Sequence, residues 1–491
     1  MTPGEPSTDA ALRLVLHPDE LSLGAGPYPL PATGLDVPPA VGVVVVALAS
    51  LVMLLALTRL RARFGLDAEL VRKVAHVGTG LLAVALPWVF ASAWPVVVIT
   101  GLAVVTLLAS RRIPFLRDRL GGAVHGVERV SLGECYFPAA VGVLFALAHR
   151  QPVLYAIPLL MLTFGDAAGA MVGVEYGRHQ FRSPDGTKSA EGSIACFTAS
   201  FFAVHVPLLL FTGLGRAETL LIATSLAILV TLLEAVAWGG LDNLFIPLGG
   251  YLLLTRLAGE SVPVLAGVSL VACVLLAVAV VLRRTRTLTD SALVAGVLVG
   301  VACWTIGGTA WLMPPIVLFL TYPLLWPKRR QLVEKPHTLV ALVAVAGVGV
   351  VWLALARVLG HDGFFFPFTL AFAGQAAAIG VSWFRDRDDR DTARAALAVP
   401  QRRDVRRDVR AVLLASVPSW LVFVVPYWLL VPHGERAAWQ ALAGWPITLL
   451  AGALYVLLIP ADRARTTDAF PWWRQVVATL AASAVGVLFI A

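Results

Sequence analysis

Runs of roughly twenty apolar residues, the length a helix needs to cross a hydrocarbon core ~30 Å thick, recur from Ala40 almost to the C-terminus. No gap long enough for a soluble domain separates them. Only 14% of the 491 residues are charged, against ~25% in an ordinary soluble domain. The expected fold is therefore all-α, a polytopic integral membrane protein, and its chemistry must sit on helix ends and short loops. Cys196, Cys273 and Cys303 lie inside apolar runs and Cys135 begins one, which argues against a disulfide framework or a CxxC metal site.

About sixteen spans are expected, nine between residues 40 and 282 and seven between 290 and 490, with 134–149 and 243–258 among the shortest. This divides the chain into a tail at 1–39, a membrane domain at 40–284 and a second membrane domain at 285–491. The formal charge of +8 points to topology rather than to nucleic acid. Of the 38 Lys and Arg residues, 32 fall in alternate connections, the richest being 385–410, and the other six stand singly in the remaining turns and the tail. Positive-inside orientation then places the basic connections in the cytoplasm and both termini, with the Pro- and Gly-rich tail, outside. The stretch 385–410 reads as a solvated loop or, as the less favoured alternative, as a charged helix on anionic headgroups.

Polar residues inside such spans are penalised by ~2.5–3.5 kcal/mol near a helix centre, so they are the informative ones. Asp166 lies in Thr163-Phe164-Gly165-Asp166, roughly 13 Å deep at 1.5 Å per residue. Gly169, Gly173 and Gly177 follow at intervals of four and offer a bare helix face for close packing, a structural role that leaves Asp166 unexplained. Next comes Asp185-Gly186-Thr187-Lys188-Ser189-Ala190-Glu191-Gly192-Ser193, where a helix begins. Free N–H groups, two glycines and Lys188 could cradle a phosphate. On spacing alone, a solvated loop capped by Ser189 is the better reading.

Glu234 sits one turn inside the same end of its span, and Asp242-Asn243 opens the next. Asp242 could serve as a helix N-cap, yet Asp166, Glu234 and Asp242 map to one membrane face, and oxygen ligands from separate helices suit Mg²⁺ with a nucleotide. Arg72 and His76, four apart, share a helix face. Positive-inside flanking accounts for Arg72 and Lys73 but not for His76.

In this order, Arg72-Lys73-x-x-His76, Gly133-Glu134, Asp166-x-x-x-Ala170-x-x-Gly173-x-x-x-Gly177, Lys188-Ser189-x-Glu191-Gly192-Ser193, and Glu234 with Asp242-Asn243-x-x-x-Pro247 resemble the motifs of the dolichol kinase and phytol kinase family, relatives of CDP-diacylglycerol synthases. The resemblance spans roughly residues 60–260. It implies transfer of the γ-phosphate of CTP or another nucleoside triphosphate to an isoprenoid alcohol, such as phytol or a polyprenol, at the cytoplasmic face with Mg²⁺.

Under it, Asp166, Glu234 and Asp242 form the metal set. Arg72, Lys73, Lys188, Ser189, Gly192, Ser193 and Asn243 contact nucleotide and phosphate, and Asp166, Lys188, Glu191, Asp242, His76 and Glu134 form the catalytic set, with His76 or Glu134 orienting or deprotonating the alcohol. The expected partners are that alcohol and the membrane lipids of a bacterial or archaeal type of cell membrane, with no nucleic acid. A homo-oligomer is admitted but not required.

From Leu288 through Trp311 the second half is similar to the membrane family that includes plant phytyl-phosphate kinase. Residues 371–378 contain no acid where that family's polar signature is expected. The second half is therefore expected to be a degenerate accessory domain. The rivals to the kinase reading are a phosphatidate cytidylyltransferase, which releases pyrophosphate, and an ion-coupled transporter, which needs access from both sides.

Overall fold

The computed structural model describes residues 21–30, 33–34, 38–112, 132–282, 288–325, 338–395, 404–430, 435–459 and 472–490. Most of the expected 1–39 tail lies outside them, as do most or all of the basic connections 111–129, 283–286, 328–335 and 463–474. The chain divides into two compact units, residues 1–276 and 277–491.

In the first unit the order is α1 (Pro39–Phe64), α2 (Ala68–Val84), the single turn α3 (Leu86–Val89), α4 (Ala93–Arg112), α5 (Gly133–Ala148) and α6 (Pro152–Tyr176), then strands β1 (Gln180–Ser183) and β2 (Gly186–Ser189). Helices α7 (Ala190–Phe211), α8 (Arg216–Val236), α9 (Asp242–Leu257) and α10 (Val262–Leu282) follow, and the unit boundary falls within α10. Most of these helices are apolar on all sides because lipid and neighbouring helices both reward apolar surface, and α2, with Arg72, Lys73 and His76, is the amphipathic exception. Proline opens α1 and α6 at positions where an N–H would have no partner.

Helix α6 is the centre of the first unit. Its Leu154, Tyr155, Ile157, Leu159, Met161 and Leu162 are fully buried, and it touches α2, α5, α7, α8 and α9. The Tyr155 hydroxyl donates to the Ala83 carbonyl at 2.8 Å and ties it to α2. Along α7 the bare face expected from the glycine spacing is realised. A Cβ added to Gly169 would lie 3.1 Å from Cys196 Cβ, and one on Gly192 would lie 2.7 Å from the Gly169 carbonyl oxygen. Such close backbone approach is how membrane helices associate without a hydrophobic driving force between them.

The second unit contains α11 (Asp290–Ala302), α12 (Thr309–Leu325), α13 (Leu339–Val358), α14 (Phe365–Ala395), α15 (Val405–Leu430), α16 (Glu435–Leu458) and α17 (Trp473–Val485). Here α14 is central, packed by α12, α13, α15, α16 and α17 around Phe366, Phe368, Phe372 and Ala376.

The fold is all-α and polytopic. Among the described residues ten helices are long and apolar enough to cross a membrane, and four further apolar ones are shorter. Helices α2 and α9, with 17 and 16 residues, fall below that length, and they carry Lys73, His76 and Asp242. Two local expectations are corrected. Residues 180–189 form an antiparallel hairpin instead of an open loop, and the expected helix begins directly after it, at Ala190, behind the Ser189 cap. Residues 385–395 continue α14, and α15 already starts at Val405, because neither the solvated loop nor the separate charged helix satisfies backbone groups as cheaply as extending a helix that exists. Residues 396–403 lie outside the described residues.

Candidate functional site

The site is assembled where α2, α6, α8, α9 and the hairpin meet. On α2, Lys73 and His76 are three residues apart and face α6, which approaches closely because a side chain at Gly80, one turn on, would collide with Thr163. The Lys73 ammonium, on a residue only 5% exposed, reaches Asp166 Oδ1 at 2.7 Å and Oδ2 at 2.8 Å. His76 Nε2 stands 3.6 Å from Asp166 Oδ2, and its ring packs 6.0 Å from that of Phe137 on α5. The deep carboxylate that composition alone left unexplained thus has a buried cation beside it, the usual condition for keeping such a charge in a membrane.

The hairpin supplies the second cation. Its register pairs Gln180 with Ser189, Phe181 with Lys188, Arg182 with Thr187 and Ser183 with Gly186. Lys188 Nζ donates to Glu234 Oε1 at 2.8 Å and also to the Glu234 carbonyl near the end of α8. Ser183 Oγ donates to the Ala235 carbonyl at 3.1 Å, and Asp185 Oδ2 accepts from the Gly239 N–H at 2.8 Å. The ribbon is therefore fastened to the α8–α9 connection, where Gly239 and Gly240 both take positive φ (63° and 83°), a conformation that side chains strain. That turn delivers Asp242 to the first turn of α9. Carboxylate oxygens of Asp166, Glu234 and Asp242 all lie within 4.8 Å of one another. Three acids face two lysines there, and Glu234 Oε2 is buried with no hydrogen-bond partner. A set of hard oxygen donors with an unsatisfied buried acceptor fits a divalent cation such as Mg²⁺.

A phytol kinase from Synechocystis sp. (strain ATCC 27184 / PCC 6803 / Kazusa) is 31% identical to this chain over 188 residues, which are 38% of this chain and 78% of that relative. This chain belongs to the phytol kinase family. No protein-family model and no solved structure matches it.

In this phytol kinase family member the residues expected from the sequence fall into three groups. Asp166, Glu234, Asp242, Lys188, Lys73 and His76 converge. Glu134, in the first turn of α5, is half-buried one turn before Phe137, the ring that packs on His76, and Asn243 uses its backbone N–H in the turn, donating to the Gly240 carbonyl at 3.2 Å. Of the others, Glu191, Ser189 and Gly192 are engaged elsewhere. Glu191 accepts from the backbone N–H groups of Arg178 at 3.1 Å and His179 at 3.2 Å and from His179 Nδ1 at 2.6 Å, so it pins the segment that leads into β1. Ser189 Oγ accepts from the Gly192 N–H at 3.1 Å and caps α7, Gly192 makes the close approach to α6, Ser193 is half-buried, and Arg72 is exposed.

The hairpin anchors Ser183 and Asp185 and the burial of Lys73 escaped the sequence reading. Ser183-Pro184-Asp185-Gly186 between two alternating segments is a recognisable turn signal. Lys73 carries no such signal, because a lysine at a helix end is already accounted for by topology.

Proposed function

We propose that the first unit is a membrane lipid kinase that transfers the γ-phosphoryl group of a nucleoside triphosphate, CTP first among them, to the hydroxyl of an isoprenoid alcohol such as phytol or a polyprenol at the cytoplasmic face. The observation that carries the reading is the convergence of Asp166, Glu234, Asp242, Lys73 and Lys188 from four helices and a hairpin. Membership of the phytol kinase family supports the class of acceptor.

Asp166, Glu234 and Asp242 would hold Mg²⁺, which supplies charge neutralisation for the nucleotide phosphates. Phosphoryl transfer is chiefly positioning and electrostatic stabilisation, and this chain's residues are arranged for both. Lys73 and Lys188 each bring three ammonium donors, so each can hold its carboxylate and still donate to a phosphate oxygen. His76, with Nε2 buried and lacking a hydrogen-bond partner, is placed to orient the acceptor hydroxyl beside Asp166. The second unit has the role of an accessory scaffold in the same membrane.

The test uses the purified full-length protein in lipid nanodiscs with Mg²⁺, phytol and CTP labelled at either the γ- or the α-phosphate. Label from the γ position in the lipid product supports the kinase. Label from the α position, with release of pyrophosphate, would instead identify a cytidylyltransferase.

A further inference from the structure

Cross-strand partners in an antiparallel ribbon point to the same face, so Phe181 and Lys188 lie side by side with their Cβ atoms roughly 4.5–5.5 Å apart. Ser183, two residues on from Phe181, shares that face. The contacts identify what the face looks onto: Lys188 reaches Glu234 and Ser183 reaches the Ala235 carbonyl. Phe181 is therefore presented on the site side of the hairpin, while Gln180, Arg182 and Thr187 on the other side are exposed. The Phe181 ring is only half-buried, and among the described residues it stacks on no other aromatic ring. An apolar ring left half-exposed beside a lysine has a face still open to a partner, and a partner that covers it gains the burial of that apolar surface.

We propose that Phe181 is the platform on which the base of the nucleotide donor stacks. The hairpin then holds the nucleotide at both ends, the phosphates at Lys188 and the base at Phe181. This deepens the nucleotide-kinase reading above and rests on it. Stacking is tolerant of base identity because every base offers a π face, so Phe181 contributes affinity for nucleotides in general and not the choice among them.

The experiment measures KM for CTP, ATP and phytol, together with the inhibition constant of inorganic tripolyphosphate, which has the phosphates without a base. Full-length protein in nanodiscs is compared with Phe181→Leu, which keeps apolar bulk but loses the π face, and with Phe181→Trp, which restores it. Stacking predicts that Phe181→Leu raises both nucleotide KM values by about tenfold or more, and to a similar extent. The phytol KM and the tripolyphosphate constant should stay within error of the unmodified protein, which also reports an intact site, and Phe181→Trp should return the nucleotide KM to its low value. Unchanged nucleotide KM in Phe181→Leu would overturn the assignment. So would a tripolyphosphate constant that rises in step with the CTP KM, since Phe181 would then only be supporting Lys188. No transfer from any nucleotide by the unmodified protein would overturn the kinase reading itself, and this assignment with it.

Discussion

Both units enclose polar side chains among apolar helices, but the first gathers charged groups into one cluster and the second disperses its polar groups along helix contacts. The first unit concentrates charge: three carboxylates and two lysines within one small volume, with a buried carboxylate oxygen left unsatisfied. The second buries mainly neutral groups and spends them on tying helices together. Gln375, fully buried at the centre of α14, donates to the Ala344 carbonyl at 3.0 Å and to Thr479 Oγ1 at 3.1 Å. The Trp352 indole N–H donates to Ser483 Oγ at 2.9 Å, and the Tyr427 hydroxyl donates to Gln440 Oε1 at 2.6 Å. Its buried ion pair, Arg385 with Asp408, sits where α14 and α15 run into their charged connection. The difference separates chemistry from architecture. Clustered like charges are tolerated where a ligand or substrate will complete them, whereas paired amides and hydroxyls give interhelical bonds worth ~1 kcal/mol and no reactive field.

If that contrast is correct, removing the second cation of the first unit should have the largest effect. Lys188→Ala is expected to lower phosphoryl transfer by on the order of 10² or more, the loss typical of one transition-state charge contact, while gel filtration shows an unchanged folded protein. A smaller effect is expected from the latch behind it. Glu191→Ala releases the Arg178 and His179 N–H groups and the His179 ring, loosening the hairpin that presents Lys188, and steady-state kinetics should show roughly a tenfold loss in kcat/KM. Glu191→Gln keeps an acceptor for both N–H groups and should lie between that variant and the unmodified protein. The smallest effect on chemistry comes from the second unit. Gln375→Ala should leave phosphorylation of phytol unaltered and lower thermal stability by ~1 kcal/mol, as read from the shift of the unfolding midpoint. Loss of transfer in Gln375→Ala would erase the distinction between the units.

How much of this was legible depends on whether a residue had a competing bland explanation. The apolar runs specify a polytopic helical protein because nothing else satisfies their backbone in lipid. Asp166 stands out because insertion penalises it, and Gly169 and Gly173 stand out by their spacing, which the α6–α7 contact uses. Lys73 is masked by the rule that explains its neighbours, and only the packing of α2 on α6 shows it buried against Asp166. Glu191 is legible as a polar residue at a helix start, but Ser189, two residues before it, caps the helix and the Glu191 carboxylate turns back to His179, a direction no spacing encodes. The number of crossings is obscured for a related reason. Helices α2 and α9 trade apolar length for the residues of the site.

If phosphate is transferred at the Asp166 cluster, the rate at which Asp166→Asn moves γ-label from CTP to phytol reports it. The substitution keeps size and a hydrogen-bond acceptor for Lys73 but removes the charge that the cluster is built around. A loss of about 10² or more is expected in a protein that is still folded and inserted in nanodiscs. Transfer at a near-native rate by that folded variant would contradict it.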